Sequence, residues 1–178
     1  MIKQIYLDMD GVLVDQYSVL AKLINLTTEQ FNEELKNCTT KGTKEAFIIP
    51  LILQSIKTKG FELAPPTDFY KVVVEQLLPA CKNKNINVQI LSSAMSPNNH
   101  NSDIVQQKIK WLKTHNLDHL QAHFPLGSKL KQTYATSDSL LIDDYERNVT
   151  QWIEKQGVAI LHTNVETTLL ELNKYGIL

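Results

Sequence analysis

The sequence predicts an α/β fold: a parallel, Rossmann-like sheet covered by helices on both faces, with a small helical insertion after the first strand. Short apolar runs at 2–8, 87–91, 139–143 and 158–162 alternate with stretches whose apolar residues recur at helical spacing. Strands separated by helices of that length need crossover connections and therefore pair in parallel. Three of the runs end in polar residues, Asp8-Met9-Asp10, Ser92-Ser93 and Asp143-Asp144, at the carboxyl edge where open parallel sheets bind ligands. The stretch 16–63 carries helical patterns and no strand pattern.

IKQIYLD (2–8) is a short, largely apolar strand. The following Asp10-Gly11 lies between two apolar runs and could turn a β-hairpin. A hairpin needs an antiparallel partner in VLV (12–14), yet the chain runs on through Asp15 into a helical pattern that reaches Leu26. Thr28 opens a second short helix with Phe31 and Leu35 on its apolar side. NCTTKGTK (37–44) reads as a polar loop, and a third helix covers 44–58, where Pro50 predicts a kink or the true start. Pro65-Pro66-Thr67 begins the next helix, with Phe69, Val72, Val73, Leu77 and Leu78 at helical spacing. After KNKN (82–85) come a strand over 87–91, a helix over 102–115, a short strand at 121–124, a strand over 139–143, a helix over 146–156, a strand over 158–162 and a last helix from Val165. The organisation expected is a core of 1–15 and 64–178 with a helical cap of 16–63.

With 178 residues and 43% hydrophobic content, the chain can bury a sizeable core. A formal net charge of −1 and an interrupted basic cluster at Lys82–Lys84 give no footprint for a nucleic-acid polymer. Cys38 and Cys81 lie far apart with no Cys or His at metal-ligand spacing, as expected of thiols in a reducing compartment. MIKQIYLD enters a strand pattern directly, without a signal-peptide pattern, and no apolar run reaches the roughly 18 residues of a membrane span. These features predict a cytoplasmic protein with a small-molecule partner.

Four carboxylates converging on one cleft repel one another, so protons or a cation must hold them. Mg²⁺ suits such a site, because it takes one or two carboxylates, keeps several waters and bridges to phosphate oxygens. Asp8 and Asp10, at i and i+2, can point to the same side, one to attack phosphorus and the other to handle a proton.

DMDGVLVD, Leu91-Ser92-Ser93, a downstream lysine and LIDD resemble the four motifs of the haloacid dehalogenase (HAD) superfamily of phosphotransferases. DMDGVL with ILSS, KQTYA, LLIDDYERNV and AILHT resembles more narrowly the bacterial and phage branch of the 5'(3')-deoxyribonucleotidases, over about 1–15 and 60–178. The resemblance implies a HAD fold and an Mg²⁺-dependent phosphomonoesterase acting through an aspartyl-phosphate, with a deoxyribonucleoside monophosphate as substrate. It implies that Asp8 is nucleophile and metal ligand. Asp10 is general acid and base, with its backbone carbonyl on the metal. Ser92 and the Ser93 N–H bind phosphate, Lys131 neutralises the transferring group with Lys129 as the alternative, and Asp143 and Asp144 hold the metal. In the cap, Phe31, Phe47 and above all Phe61 are candidates to meet substrate. A sugar phosphate or other small metabolite is the alternative substrate, and a non-catalytic phosphate-binding module the alternative function.

Other motifs carry less. Gly127-Ser128-Lys129 is no phosphate-binding P-loop, since the glycine required five residues earlier is Ala122. His115, His119 and His123 are spaced for one helical face, but 116–118 ends that helix, which argues against zinc. His162 reads as a structural histidine, and the Asn148-Val149-Thr150 sequon has no role in a cytoplasmic protein.

Overall fold

In a computed structural model that describes residues 1–95 and 102–178, five strands form one sheet in the order β3-β2-β1-β4-β5, and every pairing is parallel. The strands are β1 (Gln4–Leu7), β2 (Asn87–Leu91), β3 (Ala122–His123), β4 (Ser139–Asp143) and β5 (Val158–Leu161). Their two-residue periodicity sorts the side chains between two cores. Ile5, Leu7, Val88, Ile90, Leu140, Ile142 and Ile160 belong to the larger cluster, which also takes in Phe69, Trp111 and Leu172 from the helices. The alternate residues Tyr6, Leu91, Leu141 and Ala159 gather around the buried Trp152 on the other face. Strand β4, between β1 and β5, is buried along its whole length, as a strand sandwiched between helical layers must be.

Four helices fill the insertion: α1 (Gln16–Leu23), α2 (Thr28–Asn37), α3 (Lys41–Lys57) and α4 (Gly60–Leu63). The first three share a cluster around Leu20, Ala21, Phe31 and Leu51. The two segments joining the insertion to the core are tied to each other. Asp15 N–H donates to the Pro65 carbonyl at 2.9 Å, Thr67 N–H donates to that of Leu13 at 3.0 Å, and the Thr67 hydroxyl donates to that of Val12.

Three elements depart from the sequence expectation. Helix α3 starts at Lys41, inside the expected polar loop, because Thr40 and Thr43 form a reciprocal capping box. It continues through Pro50, which neither ends nor begins it. The helix after Pro65-Pro66 is divided into α5 (Asp68–Val72), a π-helical turn (Val73–Leu77) and α6 (Leu78–Asn83). Pro79, at the start of α6, supplies the physical reason: it has no N–H to donate, and a widened turn keeps its ring clear of the preceding carbonyls. A 3₁₀ segment at Ser128–Tyr134 had no signal in the apolar pattern. The remaining helices are α7 (Ser102–Thr114), α8 (Glu146–Glu154) and α9 (Val165–Lys174). No described helix is long and apolar enough to cross a membrane.

Candidate active site

The carboxyl ends of β1, β2 and β4 deliver the predicted polar residues to one cleft of about 670 Å³. Asp8 prolongs β1, its N–H donating to the Ile142 carbonyl at 3.0 Å. The chain then turns sharply: the N–H groups of Val12, Leu13 and Val14 all donate to the Met9 carbonyl, and Gly11 adopts a φ of +77°. Glycine suits that conformation, and its missing Cβ leaves room for the Asp144 carboxylate, which any side chain here would overlap. Asp10-Gly11 is therefore a turn, though no hairpin turn: Val14 makes only isolated bridges, to Asp10 and Pro66.

Lys131, 2% exposed on the 3₁₀ segment, joins the first and last acidic motifs. Its Nζ lies 2.8 Å from Asp8 Oδ2 and 2.7 Å from Asp143 Oδ2. Burial alone would push the Lys131 ammonium down, but the two carboxylates outweigh it and raise its pKa, so it stays charged. Lys129 is exposed at the cleft mouth and makes no such contact. The other oxygen of Asp143 accepts from Tyr145 N–H at 2.9 Å and from Asn148 Nδ2 at 3.0 Å.

A second buried lysine escaped the sequence reading. Lys108 of α7, 1% exposed, donates from Nζ to Asp10 Oδ2 at 2.6 Å, Ser92 Oγ at 2.9 Å and the Ser93 carbonyl at 2.9 Å. A signal existed: Lys108 lies between Ile104 and Leu112 at i±4, on the apolar stripe of its helix, where an ammonium needs a buried acidic partner.

Asp8, Asp143 and Asp144 can bring one carboxylate oxygen each within 4.8 Å of one another. Asp144 is held well above the usual carboxylate range, first by burial and then by repulsion from Asp8 and Asp143. Its polar contact is with Tyr17 of α1, whose hydroxyl donates to Oδ2 at 3.2 Å. Three crowded carboxylates with one lysine between them retain negative charge, so the donor set fits a hard divalent cation. The Asp10 carboxylate is not in that triad. Burial raises its pKa against the pull of Lys108, and its Oδ1 is a buried acceptor without a partner.

Asp8, Asp10, Ser93, Lys131 and Asp144 line the cleft, and Ser92 and Asp143 lie immediately behind through the lysine contacts. Phe61 is placed elsewhere. Its ring is buried against Ile56 and Ile104, 5.4 Å below Lys108 Nζ, because GFEL forms the short helix α4 and turns that ring inward. Phe31 and Phe47 pack within the insertion, so Tyr17 and Tyr145 are the aromatic residues of the lining among the described residues. Of the histidines, His162 is buried and pairs with Thr168 at 2.8 Å, while His115 stacks on Trp111. A second cavity, of about 760 Å³ beside Leu78, Ile86 and Leu120, gathers no comparable set of charges.

The sequence matches no protein-family model and no curated protein. Solved structures match along nearly the whole chain. A hydrolase from Streptococcus pneumoniae TIGR4 superposes with a TM-score of 0.57 at 14% identity, covering 97% of this chain and 98% of that one. A HAD family hydrolase from Deinococcus radiodurans R1, with bound phosphate and sodium, gives 0.56 at 13% identity over 96% and 88%. The L-2-haloacid dehalogenase of Xanthobacter autotrophicus gives 0.54 at 13% identity over 100% and 85%.

Proposed function

The chain has the fold of haloacid dehalogenase-like hydrolases, and on that premise we propose that it is a Mg²⁺-dependent phosphomonoesterase working through an aspartyl-phosphate. The observation that carries the reading is the pairing of each of the first two aspartates with its own buried lysine, Asp8 with Lys131 and Asp10 with Lys108. Lys131 sets its ammonium 2.8 Å from Asp8 Oδ2, so positive charge faces the carboxylate that serves as nucleophile. Asp10 has the opposite character: burial favours its proton, and Oδ1 has no partner to compete for it.

Asp8 attacks the phosphorus of the bound monoester, and the bond to the leaving oxygen breaks as Asp10 gives that oxygen a proton. Asp10, now a carboxylate, takes a proton from water as the water attacks the aspartyl-phosphate, which releases inorganic phosphate and restores both aspartates. Ser92, Ser93, Lys108 and Lys131 surround the transferring group with donors and positive charge. Asp8, Asp143 and Asp144 would hold the divalent ion, with the Asp10 carbonyl as a further ligand; when bound, it supplies charge neutralisation on the phosphoryl oxygens.

Within this class we favour a (deoxy)nucleoside monophosphate, on the 5'(3')-deoxyribonucleotidase-like motifs and a cleft of about 670 Å³, within the usual range for ligands of that size. Helices 16–63 act as the cap and exclude polymers. The test is phosphate release from nucleoside monophosphates, sugar phosphates and a phosphopeptide, with Mg²⁺ or EDTA. The proposal expects Mg²⁺-dependent release that is fastest from nucleotides. Release from sugar phosphates alone would keep the chemistry and reject the substrate, and faster release from the phosphopeptide would reject the role of the cap.

A further inference from the structure

The cleft is charged at both ends, and only the inner end is used by the chemistry above. Its mouth holds Lys44 of α3, Lys129 of the 3₁₀ segment and Arg147 of α8. None of these three pairs with a carboxylate among the described residues, unlike Lys108 and Lys131 within. Two of them converge on one ring: Lys44 Nζ is 5.2 Å and Arg147 Cζ 5.1 Å from the centre of Tyr145. Arg147 is also held by its Nη2 donating to Ser128 Oγ at 2.9 Å, while its Nε is a buried donor with no partner. Tyr145 is the N-cap of α8, and Glu146 in the first turn offsets the positive end of that helix, so the cations of the side chains set the charge here. Among the described residues, Glu45 is the acid at this end of the lining, against three cations.

From this we infer that the mouth is a second anion subsite, which narrows the substrate class favoured above: a nucleotide or other phosphomonoester with a further phosphate or carboxylate away from the scissile bond is preferred over the plain monophosphate. Arg147, held in place through Nη2, supplies a fixed guanidinium charge to that group, and Lys44 and Lys129 supply further positive charge. The inference rests on the reading of Asp8 and Asp10 as the phosphoryl-transfer site, because it defines which end of the substrate lies inward.

The test compares matched ligands with and without the second charge: a nucleoside 3',5'-bisphosphate against its 5'-monophosphate, and glucose 1,6-bisphosphate against glucose 6-phosphate. Hydrolysis is measured with the wild type, and binding by calorimetry with Asp8→Asn. In at least one pair the bis-anionic member is expected to bind at least tenfold tighter, with a similar gain in kcat/KM. That ratio should fall towards one in Lys44→Gln/Arg147→Gln, and stay in Lys113→Gln/Lys155→Gln, which loses the same charge elsewhere. Added salt should shrink the wild-type ratio, a check that needs no variant. Equal affinity within both pairs, or a ratio unchanged in the mouth variant, would overturn the subsite while wild-type hydrolysis leaves the phosphatase reading standing. A charge-dependent preference in binding without phosphate release from any substrate would keep the subsite and reject the phosphatase.

Discussion

Lys131 pairs with two carboxylates at once, and removing its charge leaves both Asp8 and Asp143 buried without this countercharge. Breaking a buried pair from one side costs about 3–5 kcal/mol. Lys131→Met is therefore expected to lose that much stability in urea titrations and all measurable activity, with Mg²⁺ restoring part of the stability. Lys108→Met separates the two lysines: its partner Asp10 is not in the metal triad, so Mg²⁺ should restore nothing. Tyr17→Phe removes the hydroxyl that the insertion lends to Asp144; weaker Mg²⁺ affinity by a few-fold, read by calorimetry, is the expected outcome, and unchanged affinity would show that Asp144 needs no such support. At this scale the sequence disclosed residues that end strands and hid those that reach the cleft from helices. Asp8, Ser92 and Asp143 were legible because a parallel sheet aligns its carboxyl edge. Lys108 and Tyr17 come from α7 and α1, whose orientation over the sheet no local pattern states.

Helices α5 and α6 show how an element accommodates a rule it breaks. The π turn preceding Pro79 accommodates a residue that has no N–H to donate, and Cys81 beyond it lies in the large core. Burial pushes the Cys81 thiol up to about 11, from an ordinary 9.0. Between those values the native state holds a proton that the unfolded chain has lost, so stability falls as pH rises from 9 towards 11. Urea midpoints should show that slope in the wild type and less of it in Cys81→Ala. Thiol reagents at neutral pH should label the half-buried Cys38 and spare Cys81 until the chain unfolds. The elements were largely legible, since strand and helix periods differ and each is sustained over several residues. The boundaries that failed were governed by single contacts: the Thr40–Thr43 box that lengthens α3, and the Pro79 ring that splits the following helix.

For the whole molecule, the parallel order places β1 at the centre, with the Asp8 edge flanked by the ends of β2 and β4. Parallel pairing followed from the alternation of elements, whereas the strand order, the packing of the insertion above the cleft and the mouth cations depend on tertiary contacts spread along the chain. The mechanism turns on one bond, that between Asp8 and phosphorus, and it can be trapped. Enzyme quenched in acid during turnover of a nucleoside monophosphate and reduced with borohydride should carry homoserine in place of Asp8, located by peptide mass, and none when EDTA is present. Phosphate release in full turnover with no homoserine at Asp8, or release that persists in Asp8→Asn, would contradict the account.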